Sequence, residues 1–160
     1  VSTVLLGLAL KASGRPGRVV ALEHDAAYAA KTRSMVDQHD LSDVVTVLDC
    51  PLVPVGIDGK DYRWYDIEQL EEDLVVDLLF VDGPPAASSP EARMPAVPLL
   101  WSRLAPDATV LLDDARRPDE QRILTAWTTS FPGLVLIEVR DKRGTGVLRR
   151  RTLPAVIEES

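Results

Sequence analysis

The chain of 160 residues sets 18 Lys and Arg against 25 Asp and Glu, a formal net charge of −7. That balance argues against a nucleic-acid partner, because sequence-independent affinity for phosphate backbones comes from clustered basic side chains. Hydrophobic residues make up 46% of the sequence, enough for one globular domain with its own core across residues 1–160. A single cysteine, Cys50, rules out an internal disulfide framework and suits a reducing, cytoplasmic setting. Apolar runs such as Leu78-Leu79-Phe80-Val81 fall well short of the roughly 20 residues that span a bilayer, so no membrane partner is expected.

The chain opens without Met. Val1-Ser2-Thr3-Val4-Leu5-Leu6 runs directly into helical spacing of apolar residues, and the helix is expected to end near Ala12, ahead of Ser13-Gly14-Arg15-Pro16-Gly17. Arg18 to Leu22 reads as a buried strand that closes at Glu23-His24-Asp25. Asp25 is a good N-cap for an Ala-rich helix over 26–38, since its carboxylate can accept from an unpaired first-turn amide. A second strand, Val44 to Leu48, closes at Asp49. An inserted hairpin is expected at about 53–66, around Asp58-Gly59.

Leu74 to Val81 is the next buried strand and closes at Asp82-Gly83-Pro84-Pro85. Ser89-Pro90-Glu91 predicts a helix running to about Leu104, with Ser as cap, Pro in the first turn and an acid facing the positive dipole end. Thr109 to Leu112 closes at Asp113-Asp114, and Pro118-Asp119-Glu120 opens a helix that Pro132-Gly133 ends. Leu134 to Val139 and Gly146 to Arg150 predict a closing antiparallel pair, with a tail at about 152–160. The run Arg149-Arg150-Arg151 reads as a solvated strand end.

Alternating strands and helices imply an α/β fold, Rossmann-like and doubly wound, with a mainly parallel sheet covered on both faces. Ligands in such sheets bind beyond the carboxyl ends of the strands. Glu23, Asp49, Asp82, Asp113 and Asp114 all fall at that edge in this reading, although Asp also favours turns and caps for structural reasons alone.

Five stretches, Val1-Ser2-Thr3, Leu22-Glu23-His24-Asp25, Trp64-Tyr65-Asp66, Phe80-Val81-Asp82-Gly83-Pro84-Pro85 and Leu112-Asp113-Asp114, make the sequence resemble class I S-adenosylmethionine-dependent methyltransferases of a bacterial, O-methyltransferase-like group. In that family a central strand and a Gly-x-Gly loop precede Ser-Thr. The resemblance therefore implies that this chain starts just after the loop, with the first strand and the Gly-rich loop missing and the neighbouring strands deprived of a hydrogen-bonding partner.

What the resemblance implies for individual residues follows from it. Ser2 and Thr3 would form the first helical turn beside the cofactor, and Glu23 would accept the ribose hydroxyls of S-adenosylmethionine. Asp49 and Cys50 would meet the adenine through the acid and a neighbouring amide. Asp82 would bind the cofactor ammonium, orient an acceptor or hold a cation, and is the candidate catalytic residue. Asp82, Asp113 and Asp114 match the strand ends from which metal-dependent O-methyltransferases take Mg2+ ligands, yet Asp-Asp stands where that pattern has Asp-Asn, so helix capping is the other reading. Arg93, Arg116 and Arg117 are candidates for pairing with these acids, and Trp64, Tyr65 and Trp101 for either an acceptor pocket or plain packing. The implied activity is methyl transfer to an oxygen or nitrogen of a small-molecule or sugar acceptor. The alternatives are a nicotinamide-dependent oxidoreductase, which shares the ribose-binding acid, and a non-catalytic scaffold.

Overall fold

In a computed structural model, which describes residues 2–85, 87–140 and 144–152, helix α1 spans Ser2–Ser13, strand β1 Val19–Glu23, helix α2 Ala26–Gln38 and strand β2 Val45–Asp49. Asp25 caps α2 as its position predicts: one carboxylate oxygen accepts from the amides of Ala27 and Tyr28 at 2.8 and 3.1 Å. β1 and β2 pair in parallel, with Glu23 opposite Asp49 at their carboxyl ends. Their core gathers Val4, Ala29, Val36, Leu41, Val45 and Val47. Gly7 lets α1 lie close against this layer, since a Cβ there would sit 2.6 Å from Val45 Cγ2 and 3.2 Å from Leu41 Cδ1.

The expected hairpin is present as β3, Leu52–Ile57, and β4, Lys60–Tyr65. Its two-residue turn is Asp58-Gly59 with φ of 49° and 76°, the two positive values that a type I′ turn requires and that Asp and Gly tolerate best. Tyr62, Trp64 and Tyr65 are buried.

Strand β5, Val76–Val81, pairs in parallel with β6, Leu104–Leu112. After helix α4, Pro118–Ser130, strands β7, Leu134–Arg140, and β8, Thr145–Arg150, form the expected antiparallel pair, and β8 returns antiparallel beside β6. The order is β5-β6-β8-β7. Residues 141–143 of the predicted closing turn and residues 153–160 of the predicted tail lie outside the described residues.

One helix differs from expectation. The segment after Ser89 is a series of turns, and the α-helical part, α3, covers only Ala96–Leu100, followed by a 3-10 turn over Trp101–Arg103. Glu91 sits at φ 51°, a left-handed conformation that no helix continues through, and Pro95 and Pro98 deny backbone donors on either side of the helix start. The Ser-Pro-Glu signal fails at its own third residue, since Glu91 leaves the helical region and the helix begins only at Ala96.

The chain forms two compact units, one within residues 1–53 and 65–70, the other within 54–64 and 71–160. β1-β2 belongs to the first and β5-β6-β8-β7 to the second. Among the described residues no helix is long and apolar enough to cross a membrane.

Candidate functional site

In the first unit, the carboxyl ends of β1 and β2 set two acids side by side, at the roughly 5 Å spacing of paired strands. The chain resolves this differently for each. Glu23 Oε1 accepts from the backbone amides of His24 and Asp25 at 2.8 and 3.0 Å, and His24 Nδ1 lies 3.1 Å from the same oxygen. Those contacts fix the carboxylate plane and, among the described residues, leave Oε2 without a partner. Asp49 instead receives Arg33 Nη2 at 2.6 Å, while the Arg33 guanidinium also donates to the Val47 carbonyl. Both partners of that pair are well exposed, so it is weakly held and displaceable.

Cys50 follows Asp49 and is fully buried. Its amide donates to the Glu23 carbonyl at 2.7 Å, extending the β1-β2 ladder by one bond. That amide is committed, so of the expected adenine contacts Asp49 can offer its side chain but Cys50 cannot offer its N–H. Burial first, then the nearby Asp66 and Asp49 carboxylates, push the Cys50 thiol above its ordinary value. Ser2 and Thr3 stand, half-buried, in the first turn of α1, which holds no acidic residue.

In the second unit, β5 and β6 carry Asp82 and Asp113-Asp114 past their carboxyl ends, with the Asp113 amide donating to the Val81 carbonyl at 3.0 Å. Arg93 lies among them, its side chain only 5% exposed. Nη1 donates to the Asp113 carbonyl and Nη2 to the Asp82 carbonyl, each at 2.8 Å. Nη1 is also 3.3 Å from Glu120 Oε1, and Nη2 is 3.8 Å from Asp82 Oδ1 and 3.7 Å from Asp114 Oδ2. Arg117 meets Asp114 Oδ2 from the other side at 3.0 Å. Asp113 joins this cluster through its carbonyl, and among the described residues no group of three or more His, Cys, Asp or Glu could hold a metal ion. The place that Mg2+ was expected to take among Asp82, Asp113 and Asp114 has the Arg93 guanidinium beside Asp82 and Asp114, so the side chains as they stand do not fit a divalent ion.

Arg93 was visible from sequence only as a pairing candidate, and Glu120 only as a helix-start acid. The missed signal was periodicity: Glu120, Ile123, Leu124 and Trp127 are the buried residues of α4, at i, i+3, i+4 and i+7. A charge on an apolar stripe needs a buried counter-charge. Of the remaining candidates, Trp101 stacks with Phe131 at 4.7 Å and carries the Arg150 guanidinium 4.5 Å over its ring. That contact gives Arg150, though not the exposed Arg149 and Arg151, a packing role.

With this geometry, residues 1–115 match a family model described as a methyltransferase domain. The chain belongs to the methyltransferase-domain family. No curated protein matches its sequence. Among solved structures, this methyltransferase-family chain is similar to a methyltransferase from Geobacter sulfurreducens at 18% identity and TM-score 0.58, covering 84% of this chain and 59% of that one. It is also similar to an O-methyltransferase from Bacillus cereus in complex with S-adenosylhomocysteine, at 16% identity and TM-score 0.60, covering 84% and 63%. A third is the N-terminal domain of human METTL16, likewise with S-adenosylhomocysteine, at 14% identity and TM-score 0.60, covering 93% and 57%. At these identities the likeness is one of fold, and it bears out the Rossmann-like α/β architecture. The chain spans about three-fifths of the length of each of these structures.

Proposed function

We propose that this chain is the larger part of one S-adenosylmethionine-dependent methyltransferase domain that methylates an oxygen, or a nitrogen, of a small-molecule or sugar acceptor in the cytoplasm. The observation that carries the reading is Glu23. Its carboxylate stands at the end of β1 with one oxygen held by two backbone amides and the other open, a preset acceptor for a ribose hydroxyl. The family model crosses both units, which supports a single domain.

S-adenosylmethionine, when bound, supplies an electrophilic methyl on a sulfonium. Everything else falls to the chain. Glu23 would bind the ribose, Asp49 would turn from its exposed Arg33 contact to the adenine side, and Ser2 and Thr3 would present the start of α1. Asp82, whose side chain is 46% exposed with Arg93 Nη2 3.8 Å from its Oδ1, would bind a cationic or hydroxyl group of the cofactor or acceptor. Methyl transfer needs chiefly positioning and removal of one proton from the acceptor, and Asp82 is the candidate for that proton.

The test is calorimetric titration of the full-length protein with S-adenosylhomocysteine and, in parallel, NADH. Binding of the first alone is the expected result, followed by transfer of labelled methyl to a panel of phenolic and sugar hydroxyls. Binding of NADH alone would turn the reading to the oxidoreductase, and binding of neither to a scaffold.

A further inference from the structure

Five oxygens surround the terminal nitrogens of Arg93. Two are backbone carbonyls, of Asp82 and Asp113, at 2.8 Å. Three belong to carboxylates: Glu120 Oε1 at 3.3 Å, Asp114 Oδ2 at 3.7 Å and Asp82 Oδ1 at 3.8 Å. Carbonyls and carboxylates together are the donor set of a hard divalent cation. Here a guanidinium is what they enclose.

The arrangement is costly as a source of stability. Arg93 Nε and Glu120 Oε2 are both buried without a hydrogen-bond partner, and both residues are more than nine-tenths buried. A buried Arg-Glu pair with unsatisfied atoms is often no better than two apolar side chains of the same size. What apolar residues could not supply is a positive charge between three carboxylates, or a planar fork that ties the ends of β5 and β6 to the first turn of α4. The fork geometry also matches the two carbonyls, one per terminal nitrogen, so it fixes the spacing of the two strand ends as a metal would.

We propose that Arg93 is a built-in cation that takes the place of a divalent metal at the carboxyl ends of β5 and β6. It is a positioning residue: it anchors the backbone that bears Asp82 and Asp114 and compensates their charge without leaving the fold. Asp82 and Asp114 then need no metal to sit together.

The experiment reads ion dependence and needs no cofactor, so it stands apart from the methyltransferase reading. Thermal midpoints of the full chain are measured in EDTA, in CaCl2 and in MnCl2. Wild type is expected to give the same midpoint in all three. Arg93→Ala opens the oxygen shell: its midpoint in EDTA should drop by on the order of 10 °C and be partly restored by Ca2+ or Mn2+. Should that variant not fold in EDTA, recovery of far-ultraviolet ellipticity on adding the ion reads the same effect. Arg93→Lys keeps a cation without the fork and should lose part of the midpoint while staying indifferent to ions. The proposal is overturned if wild type itself gains stability from an ion and loses that gain in Asp82→Asn. Indifference of Arg93→Ala to both ions, or an ion response in Arg93→Lys equal to that in Arg93→Ala, overturns it as well.

Discussion

Replacing Glu23 separates its structural work from its proposed ligand work, because the two fall on different oxygens. Glu23→Gln keeps a carbonyl oxygen that can accept from the His24 and Asp25 amides and puts an NH2 where Oε2 now stands open. Those amides are near the surface and can turn to water, so even Glu23→Ala should cost only about 0.5–1.5 kcal/mol of stability, the net worth of a typical hydrogen bond. That corresponds to a midpoint drop of roughly 1–6 °C for a chain of this size. A hydrogen bond to a charged carboxylate is worth more, about 1.5–3 kcal/mol, so both variants should weaken S-adenosylhomocysteine by roughly 10- to 150-fold. The assay is calorimetry on the full-length protein, with a thermal melt of each variant as the stability control. A Glu23→Gln protein that binds as tightly as wild type would refute the argument and leave Glu23 a turn-forming acid.

Cys50 should be inert: with its thiol raised from 9.0 by burial first, the native protein should react far more slowly with iodoacetamide at pH 8 than the unfolded chain does. The sign of its linkage follows, because the fold keeps the proton that the unfolded chain gives up. Its contribution is intact below the unfolded value and is lost as pH rises through the folded one, so unfolding free energy should fall above about pH 9, and less steeply in Cys50→Ala. Gly7→Ala gains about 1 kcal/mol of helix propensity but forces a methyl to 2.6 Å from Val45 Cγ2, an overpacking that costs about 1–3 kcal/mol. A lower urea midpoint is expected, recovered by adding Val45→Ala. Trp127→Phe removes the Nε1 bond to the Met94 carbonyl at 2.8 Å from a side chain that is fully buried. It should cost about 2 kcal/mol as lost hydrogen bond plus cavity, read as a lower thermal midpoint with an unchanged far-ultraviolet spectrum.

Most strands were legible because they are short, nearly continuous apolar runs bounded by Asp, Gly or Pro, and the observed bounds move by only a residue or two for β1, β2, β5, β7 and β8. β6 is longer than expected, beginning at Leu104, because its first residues pair with β5 across a register shift between Val76 and Leu78 that no local pattern announces. α2 and α4 announced themselves through Asp25 and Pro118, and α3 misled because Glu91 adopts a left-handed conformation that composition does not encode. The site was legible as a set of acids and illegible as a set of partners. Arg33 reaches Asp49 across 16 residues and Arg93 reaches Glu120 across α3 and the whole of β6, and such pairings depend on which face of a helix turns inward.

The partners decide what each strand-end acid can do. Asp49 and Asp114 each face a guanidinium within 3.0 Å, and such a partner competes with an incoming hydroxyl for the same lone pairs. Asp82 keeps its carboxylate half-exposed but shares the Arg93 charge from 3.8 Å, which suits a group that must hold its place beside other acids. Glu23 differs from all three, since its fixed partners are neutral backbone amides with His24 beside them. Amides orient a carboxylate without a full opposing charge, so the open oxygen stays a strong acceptor whose direction is already set. Orientation fixed before binding lowers the entropy lost when a ligand arrives, and for that reason the proposed ribose contact falls on Glu23 more than on any acid carrying an arginine.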